Sequence, residues 1–162
     1  MNKVPPGSFK HPIHFLALGF GSGAAPVAPG TFGTLAAIPI YLLCAQLPLL
    51  AYLGVVVIVC ISGVYICGRT ADDWGMHDHS AIVWDEIAGY LLTMILAPVS
   101  MLSVLLGFAY FRLFDIWKPY PISWLDKKVS GGFGIMVDDL LAGVYAAILL
   151  QMSLYAFKQF GF

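Results

Sequence analysis

Composition and charge set the first limits on this chain. It has 162 residues, of which 60% are apolar and 10% charged, and its formal net charge is −1. The mean hydropathy of +0.86 exceeds that of soluble proteins and the length suits one domain, so a single-domain membrane protein is expected. Because binding to a phosphate backbone needs a surplus of Lys and Arg, no nucleic-acid partner is expected.

The apolar pattern predicts the elements in chain order. The first dozen residues predict a flexible tail, residues 13–158 a single helical membrane domain, and residues 159–162 a C-terminal tail. The domain contains four apolar stretches, at about 33–47, 49–67, 87–111 and 140–157. The second and fourth have the length of a spanning helix, whereas Pro39 and Pro98 should bend or divide the first and third. The predicted class is a compact all-α membrane protein with some hairpin or broken helices.

The position of the charges decides between two topologies. All nine acids lie between Asp72 and Asp139, in the polar segments 69–86 and 112–139 that flank the third apolar stretch. A single crossing by that stretch would separate the two segments, whereas a helical hairpin at Pro98 would return them to one face. The positive-inside rule favours the hairpin, because seven of the eight Lys and Arg residues then share one side, the cytoplasmic one. Hairpin arms of about eleven residues are too short to span a core of roughly 30 Å and should be only partly immersed.

Two pairs of adjacent acids stand at the starts of apolar segments. Asp85 and Glu86 in IVWDEIAGY, and Asp138 and Asp139 in GIMVDDLLAG, are expected in the first turn of a helix. Capping and the helix dipole explain one acid per helix, at about 0.3–1 kcal/mol each. Two adjacent carboxylates near a low-dielectric region raise each other's pKa unless a cation neutralises them. Carboxylate oxygens without nearby His or Cys favour Mg²⁺, so the pattern favours a metal role over capping alone.

A third group of charges follows in AYFRLFDIWKPYP, where Arg112, Asp115 and Lys118 recur at intervals of three. On an isolated helix this spacing is typical of a surface ion-pair row. Here the row ends an apolar run on the same predicted face as the paired acids. We therefore expect Arg112 and Lys118 to bind phosphate oxygens and Asp115 to join the metal ligands.

Two further segments carry weaker signals. The glycine-rich stretch 19–35 could leave backbone N–H groups free for a phosphate, with Thr31 or Thr34 capping the next helix. That stretch lacks a P-loop ending, and close helix packing explains its small residues equally well. The loop GMHDHS, residues 75–80, lacks the further ligands of a zinc site and is expected to be polar, with His79 as a candidate proton shuttle at the substrate.

Three long motifs occur in order along the chain: LGFGSGAAPVAPGTFGTLAAIP, HDHSAIVWDEIAG and FRLFDIWKPYPISWLDKKVSGGFGIMVDDLLAG. Together they resemble the phosphatidylglycerophosphatase A family of bacterial membrane lipid phosphatases, and the similarity runs from about residue 14 to residue 145. The resemblance implies an all-helical, multi-pass protein of the bacterial inner membrane. It also implies Mg²⁺-dependent hydrolysis of phosphatidylglycerophosphate to phosphatidylglycerol and inorganic phosphate.

The expected mechanism joins the resemblance to the residues. Mg²⁺ held by some of five acids would polarise the phosphoryl group and activate a water molecule. A spare carboxylate would take the proton of that water, and two cationic side chains would neutralise the equatorial oxygens of the phosphoryl group. The acids are Asp85, Glu86, Asp115, Asp138 and Asp139, and the cations are Arg112 and Lys118. A covalent aspartyl-phosphate is the competing route. The alternative function is a small transporter or ion-coupled protein that uses the same acids as an ion site.

Overall fold

The computed structural model describes residues 4–76 and 79–159. Across these residues the regular structure is helical, which confirms the predicted all-α class. The α-helices are α1 Pro12–Ala17, α2 Pro29–Cys44, α3 Leu49–Trp74, α4 Trp84–Thr93, α5 Met101–Trp117, α6 Ile122–Lys128 and α7 Gly131–Gln159. Short 3-10 turns at Ser8–Lys10 and Ser22–Ala24 precede α1 and α2 respectively.

Helices α3 and α7 coincide with the two apolar stretches that were predicted to span a membrane. They have 26 and 29 residues, and within the described residues these two are long and apolar enough to cross a bilayer. Large apolar side chains cover the outside of α3, where Ile58 and Ile61 are 67% and 69% exposed. An outer surface of this kind suits contact with lipid rather than with water.

The third apolar stretch forms the predicted helical hairpin around Pro98. Helix α4 ends at Thr93 and α5 begins after Ser100, whose side-chain oxygen accepts a hydrogen bond from the backbone N–H of Ser103 at 3.1 Å. The Tyr90 hydroxyl donates to the Val104 carbonyl at 3.3 Å and ties the two arms together. The start of α4 and the end of α5 therefore lie on the same side of the molecule.

The first apolar stretch is not divided. Pro39 lies inside α2, which continues from Pro29 to Cys44. Proline in a helix interior costs roughly 3 kcal/mol in isolation. Tertiary packing offsets this cost, because Ala37 and Tyr41 on either side of the proline are completely or almost completely buried.

Helix α7 is the centre of the bundle and packs against α3, α4, α5 and α6. Its contact with α4 is a close backbone approach, because a methyl group at Gly143 would lie 2.6 Å from the Gly89 carbonyl oxygen. Small residues at a crossing let two helices approach in this way. The approach brings the acidic end of α4 next to the acidic turn of α7.

The start of α7 differs from the prediction. Asp138 and Asp139 were expected in the first helical turn, but the helix begins at Gly131, so the two acids lie about two turns inside it. Gly131 at the start of α7 has a left-handed φ of +72°, as a turn would have. Gly132 is helical and packs tightly on α3, where a methyl group would overlap the Val64 carbonyl oxygen. Tertiary packing here outweighs the low helix propensity of glycine. Capping of a helix N-terminus therefore does not explain the second acidic pair.

Candidate active site

A polar cavity of about 310 Å³ opens where the start of α4 and the end of α5 meet the N-terminal third of α7. It collects every charged residue that the sequence placed in the metal and phosphate groups. These are Asp85, Glu86, Arg112, Asp115, Lys118, Asp138 and Asp139. The hairpin brings segments 69–86 and 112–139 to one site, as the charge pattern predicted.

Three carboxylates from α4 and α7 lie close together in the lining of the cavity. Asp85 and Glu86 occupy the first turn of α4, as predicted, and Asp139 reaches them from α7. Each of the three offers an oxygen atom within 4.8 Å of the others, and both aspartates are less than a tenth exposed. We call Asp85, Glu86 and Asp139 the carboxylate cluster.

The carboxylate cluster fits a hard divalent cation. Oε2 of Glu86 and Oδ2 of Asp139 are buried and have no hydrogen-bond partner among the described residues, which is costly for an acceptor away from water. Burial raises the pKa of Glu86 to about 8. The charge of Asp139 adds to this rise, and a hydrogen bond with the Asp85 side chain opposes it. A cation coordinated by these oxygens would satisfy them and keep the carboxyl groups ionised.

Arg112 and Asp115 form an ion pair at the wall of the cavity. Nη1 of Arg112 lies 2.5 Å from Oδ2 of Asp115 and 3.9 Å from Oε1 of Glu86. The paired side chains are only 15% and 13% exposed, so the interpretation as a surface ion-pair row does not hold. Asp115 faces the guanidinium and is not one of the three residues of the carboxylate cluster. Nε of Arg112 is buried without a hydrogen-bond partner among the described residues, and it remains available to an anion.

Lys118 links α5 to the acidic turn of α7. It follows the last residue of α5 in a left-handed conformation, and its ammonium donates to Asp138 at 2.6 Å and to Asp126 at 2.7 Å. Burial lowers the pKa of Lys118, but the hydrogen bonds and charges of these two acids outweigh it, so the pKa is raised and the ammonium stays charged. The role of Asp126 was missed, because an acid followed by Lys127 and Lys128 is typical of a solvated surface.

The glycine-rich stretch borders the cavity through Ala28, Pro29 and Gly30. Gly30 lies against the Glu86 carboxylate so closely that a methyl group there would overlap Oε1. Close packing therefore explains this glycine, and it also places the N-terminus of α2 at the cavity.

The predicted capping by threonine is wrong. Helix α2 begins at Pro29, before either threonine, and Ala28 at its N-cap makes no side-chain cap. The Thr34 hydroxyl is buried and donates to the Gly30 carbonyl at 2.9 Å, and neither Thr31 nor Thr34 is among the described residues that line the cavity. Direct contact of either residue with a substrate stays a prediction.

His79 is not among the described residues that line the cavity. Its Nδ1 accepts a hydrogen bond from the Ala81 N–H at 3.1 Å, and its ring packs edge-on against Trp74 at 5.0 Å. From the same loop the structure brings Ser80 to the cavity lining, a residue that the sequence did not single out. The remaining members of the loop that the sequence considered, His77 and Asp78, lie outside the described residues.

Comparison with known proteins identifies a family and several relatives that this chain resembles. The family described as Phosphatidylglycerophosphatase A matches residues 15–154. A phosphatidylglycerophosphatase A of Escherichia coli (strain K12) is 50% identical over 141 residues, which cover 86% of this chain and 82% of that protein. A phosphatidylglycerophosphatase A of Haemophilus influenzae is 44% identical over 150 residues, covering 88% and 89% of the two chains.

A more distant relative has a different printed substrate. A putative phosphatidylinositol-3-phosphatase of Bacteroides thetaiotaomicron is 37% identical over 146 residues, covering 85% of this chain and 91% of that protein. No solved structure matches the chain. The family match spans most of the sequence and includes all the charged residues of the cavity, so this chain belongs to the phosphatidylglycerophosphatase A family.

Proposed function

We propose that this protein hydrolyses the phosphomonoester of phosphatidylglycerophosphate to phosphatidylglycerol and inorganic phosphate. The observation that carries the proposal is the cavity in which the carboxylate cluster faces Arg112 and Lys118. A cation site beside two fixed positive charges suits a phosphate monoester, whose oxygens need both kinds of partner. The names of two relatives at 50% and 44% identity support the choice of lipid.

The carboxylate cluster is the proposed Mg²⁺ site. Asp85, Glu86 and Asp139 would hold the ion, which when bound supplies Lewis-acid polarisation of the phosphoryl group. The cluster leaves buried oxygens of Glu86 and Asp139 without partners among the described residues, and this donor set consists of oxygen atoms only. Hard oxygen ligands of this kind favour Mg²⁺ over softer transition metals.

Arg112 and Lys118 orient the phosphate with the N–H donors that their ion pairs do not use. Arginine has five N–H donors, and here Nη1 faces Asp115 while the buried Nε is unused among the described residues. The ammonium of Lys118 has three donors, of which Asp138 and Asp126 take two. The remaining donors can neutralise the phosphate oxygens without release of the ion pairs that position them.

Water is the proposed nucleophile, and one of the two ion-paired aspartates accepts its proton. Asp115 and Asp138 each form an ion pair with a cation at 2.5–2.6 Å, which fixes the carboxylate in the cavity wall. Both line the cavity, so each lies within reach of a water beside the phosphate. Rapid quenching with labelled substrate should trap no phosphoenzyme, and a labile acyl-phosphate on any aspartate would refute attack by water.

The proposed topology places the cavity on the cytoplasmic side of a bacterial inner membrane. Lys158 lies 19 residues beyond Asp139 on α7, which corresponds to roughly 28 Å along the helix axis. The other described Lys and Arg residues lie outside this stretch, and a single positive end of this kind suits the positive-inside rule. In intact cells a cysteine introduced at Lys158 should react with a membrane-impermeant thiol reagent, whereas a cysteine at Lys127 should not.

The test of the function is phosphate release from phosphatidylglycerophosphate by the purified protein in detergent. We expect release with Mg²⁺, loss with EDTA and recovery when Mg²⁺ is restored. Asp139→Asn should raise the Mg²⁺ concentration needed for half-maximal rate, and Asp72→Asn, at an exposed acid outside the cavity, should leave it unchanged. Absent release would reject the proposed hydrolysis and favour an ion-coupled role for the same acids. Release that does not depend on the metal would reject the Mg²⁺ site.

A further inference from the structure

A second group of metal-type ligands lies between α1 and the end of α3, apart from the cavity. His11 immediately precedes α1, His14 lies within it, and Asp73 is the next to last residue of α3. Each offers one ligand atom, and the three atoms lie within 4.8 Å of one another. Two imidazoles with one carboxylate suit Zn²⁺, whereas Mg²⁺ prefers the all-oxygen set of the carboxylate cluster.

The local geometry already assembles these side chains without a metal. Pro12 starts α1, and the two histidines are three residues apart with ring centroids separated by 4.1 Å. Nε2 of His14 lies 3.0 Å from Oδ2 of Asp73. A tetrahedral ion with bonds of about 2.0–2.1 Å needs ligand atoms roughly 3.4 Å apart, so small side-chain rotations would close the group. His11 and Asp73 are exposed enough to make those rotations and to leave a position for water.

Arg69 is the competitor for this position. Its Nε donates to the same Asp73 oxygen, Oδ2, at 3.1 Å, one helical turn away on α3. The Arg69 side chain is 54% exposed, so it can leave Asp73 for solvent at little cost. A metal ion would take over the charge that Arg69 now balances. Removal of the arginine should therefore strengthen metal binding, an effect opposite in sign to the removal of a ligand.

We propose that His11, His14 and Asp73 bind one Zn²⁺ ion that clamps α1 to α3. The clamp bears on the approach to the cavity, because the carbonyl of Ala17 at the end of α1 accepts a hydrogen bond from Val83 at 2.8 Å. Val83 directly precedes α4. A metal that fixes α1 on α3 therefore also stiffens the connection that leads into the first turn of α4. The clamp is independent of the proposed lipid substrate and of the Mg²⁺ site.

The test is Zn²⁺ titration of the purified full-length protein in detergent by calorimetry, with millimolar Mg²⁺ present to occupy the carboxylate cluster. We expect one Zn²⁺ per chain. His14→Gln and Asp73→Asn should each weaken binding by at least about tenfold. Asp72→Asn, the matched control one residue away, should leave the affinity unchanged, and Arg69→Gln should increase it.

X-ray absorption on the unmodified protein loaded with Zn²⁺ provides a readout that no variant can compromise. The expected spectrum shows two imidazole ligands, and a spectrum with oxygen ligands only would overturn the proposal. Equal Zn²⁺ affinity in His14→Gln and in the unmodified chain would overturn it as well. Phosphate release by the clamp variants with Mg²⁺ reports that they fold. An unmodified protein that binds Zn²⁺ through imidazoles and releases no phosphate would refute the proposed function and leave the clamp standing.

Discussion

Replacement of Gly30 by alanine should slow phosphate release without destabilising the fold. Gly30 is the second residue of α2 and is buried against the cavity. A methyl group there would overlap Oε1 of Glu86 and approach Nη1 of Arg112 to 3.1 Å. Because the obstructing atom is the free end of a flexible side chain, Glu86 can move away without disturbance of the backbone. The fold is then kept while the carboxylate cluster loses its arrangement.

The two effects have opposite signs and calculable sizes. Alanine in place of a helical glycine stabilises a helix by roughly 0.5–1 kcal/mol, so the melting temperature should be unchanged or slightly raised. Restoring van der Waals distance between the methyl group and Oε1 requires a carboxylate shift of about 1 Å. A misplacement of that size costs about 10²-fold in rate. We therefore expect Gly30→Ala to be folded and to release phosphate about a hundredfold more slowly, with a raised Mg²⁺ requirement.

The assay is phosphate release across a Mg²⁺ titration, together with a thermal melt in the same detergent. Gly54→Ala is the matched control, because Gly54 is also helical and a methyl group there meets nothing within 4 Å. Gly54→Ala should keep full activity. If Gly30→Ala retained the rate and the Mg²⁺ requirement of the unmodified protein, Glu86 would not be a working part of the site. If it unfolded, the packing argument for Gly30 would be wrong.

Three further predictions concern packing, charge and pH. Gly132→Ala should destabilise the protein by about 1–3 kcal/mol in thermal melts, because the new methyl group meets backbone atoms of α3 that cannot move away. Gly54→Ala should not, and an unchanged melting temperature of Gly132→Ala would contradict the prediction. Lys118→Met should lower phosphate release at least tenfold by unpairing Asp138, whereas Lys127→Met at an exposed position should not, and equal rates would refute the role of Lys118. In EDTA, stability should fall as pH rises from about 4.5 to about 8, because the folded state raises the pKa of Glu86 and binds its proton more tightly than the unfolded chain does. Addition of Mg²⁺, or the substitution Glu86→Gln, should flatten this dependence of stability on pH. If the dependence persists under both conditions, another titratable group causes it.

The sequence predicted the fold class and the gathering of the charges because both depend on coarse features. Apolar length marks spanning helices, and Pro98 together with the positive-inside distribution of Lys and Arg predicted a hairpin in the third stretch. A hairpin brings the seven charged residues of the predicted metal and phosphate groups to one face, and the cavity contains all seven.

Details that depend on close contact were beyond the same reasoning. Gly132 suggests a turn when only propensity is considered, but it is helical and its backbone packs directly against the backbone of α3. Asp126 and Ser80 have no local pattern that separates them from solvated polar residues. The path of the chain after α5 brings Asp126 to Lys118, and the loop before α4 brings Ser80 to the cavity.

The adjacent acids of α7 show how one helical turn can serve two purposes. Successive residues on an α-helix point about 100° apart, so Asp138 and Asp139 diverge although they are neighbours in sequence. Asp138 accepts from the Lys118 ammonium at 2.6 Å, and Asp139 joins Asp85 and Glu86. Each negative charge therefore has its own neutralising partner, an ammonium for one and the proposed cation for the other. A polar neutral residue at position 138 would leave Lys118 with Asp126 as its remaining anionic partner among the described residues, and one at position 139 would deprive the proposed cation of its third carboxylate. Two charges therefore have separate uses here, where a cap would need only one.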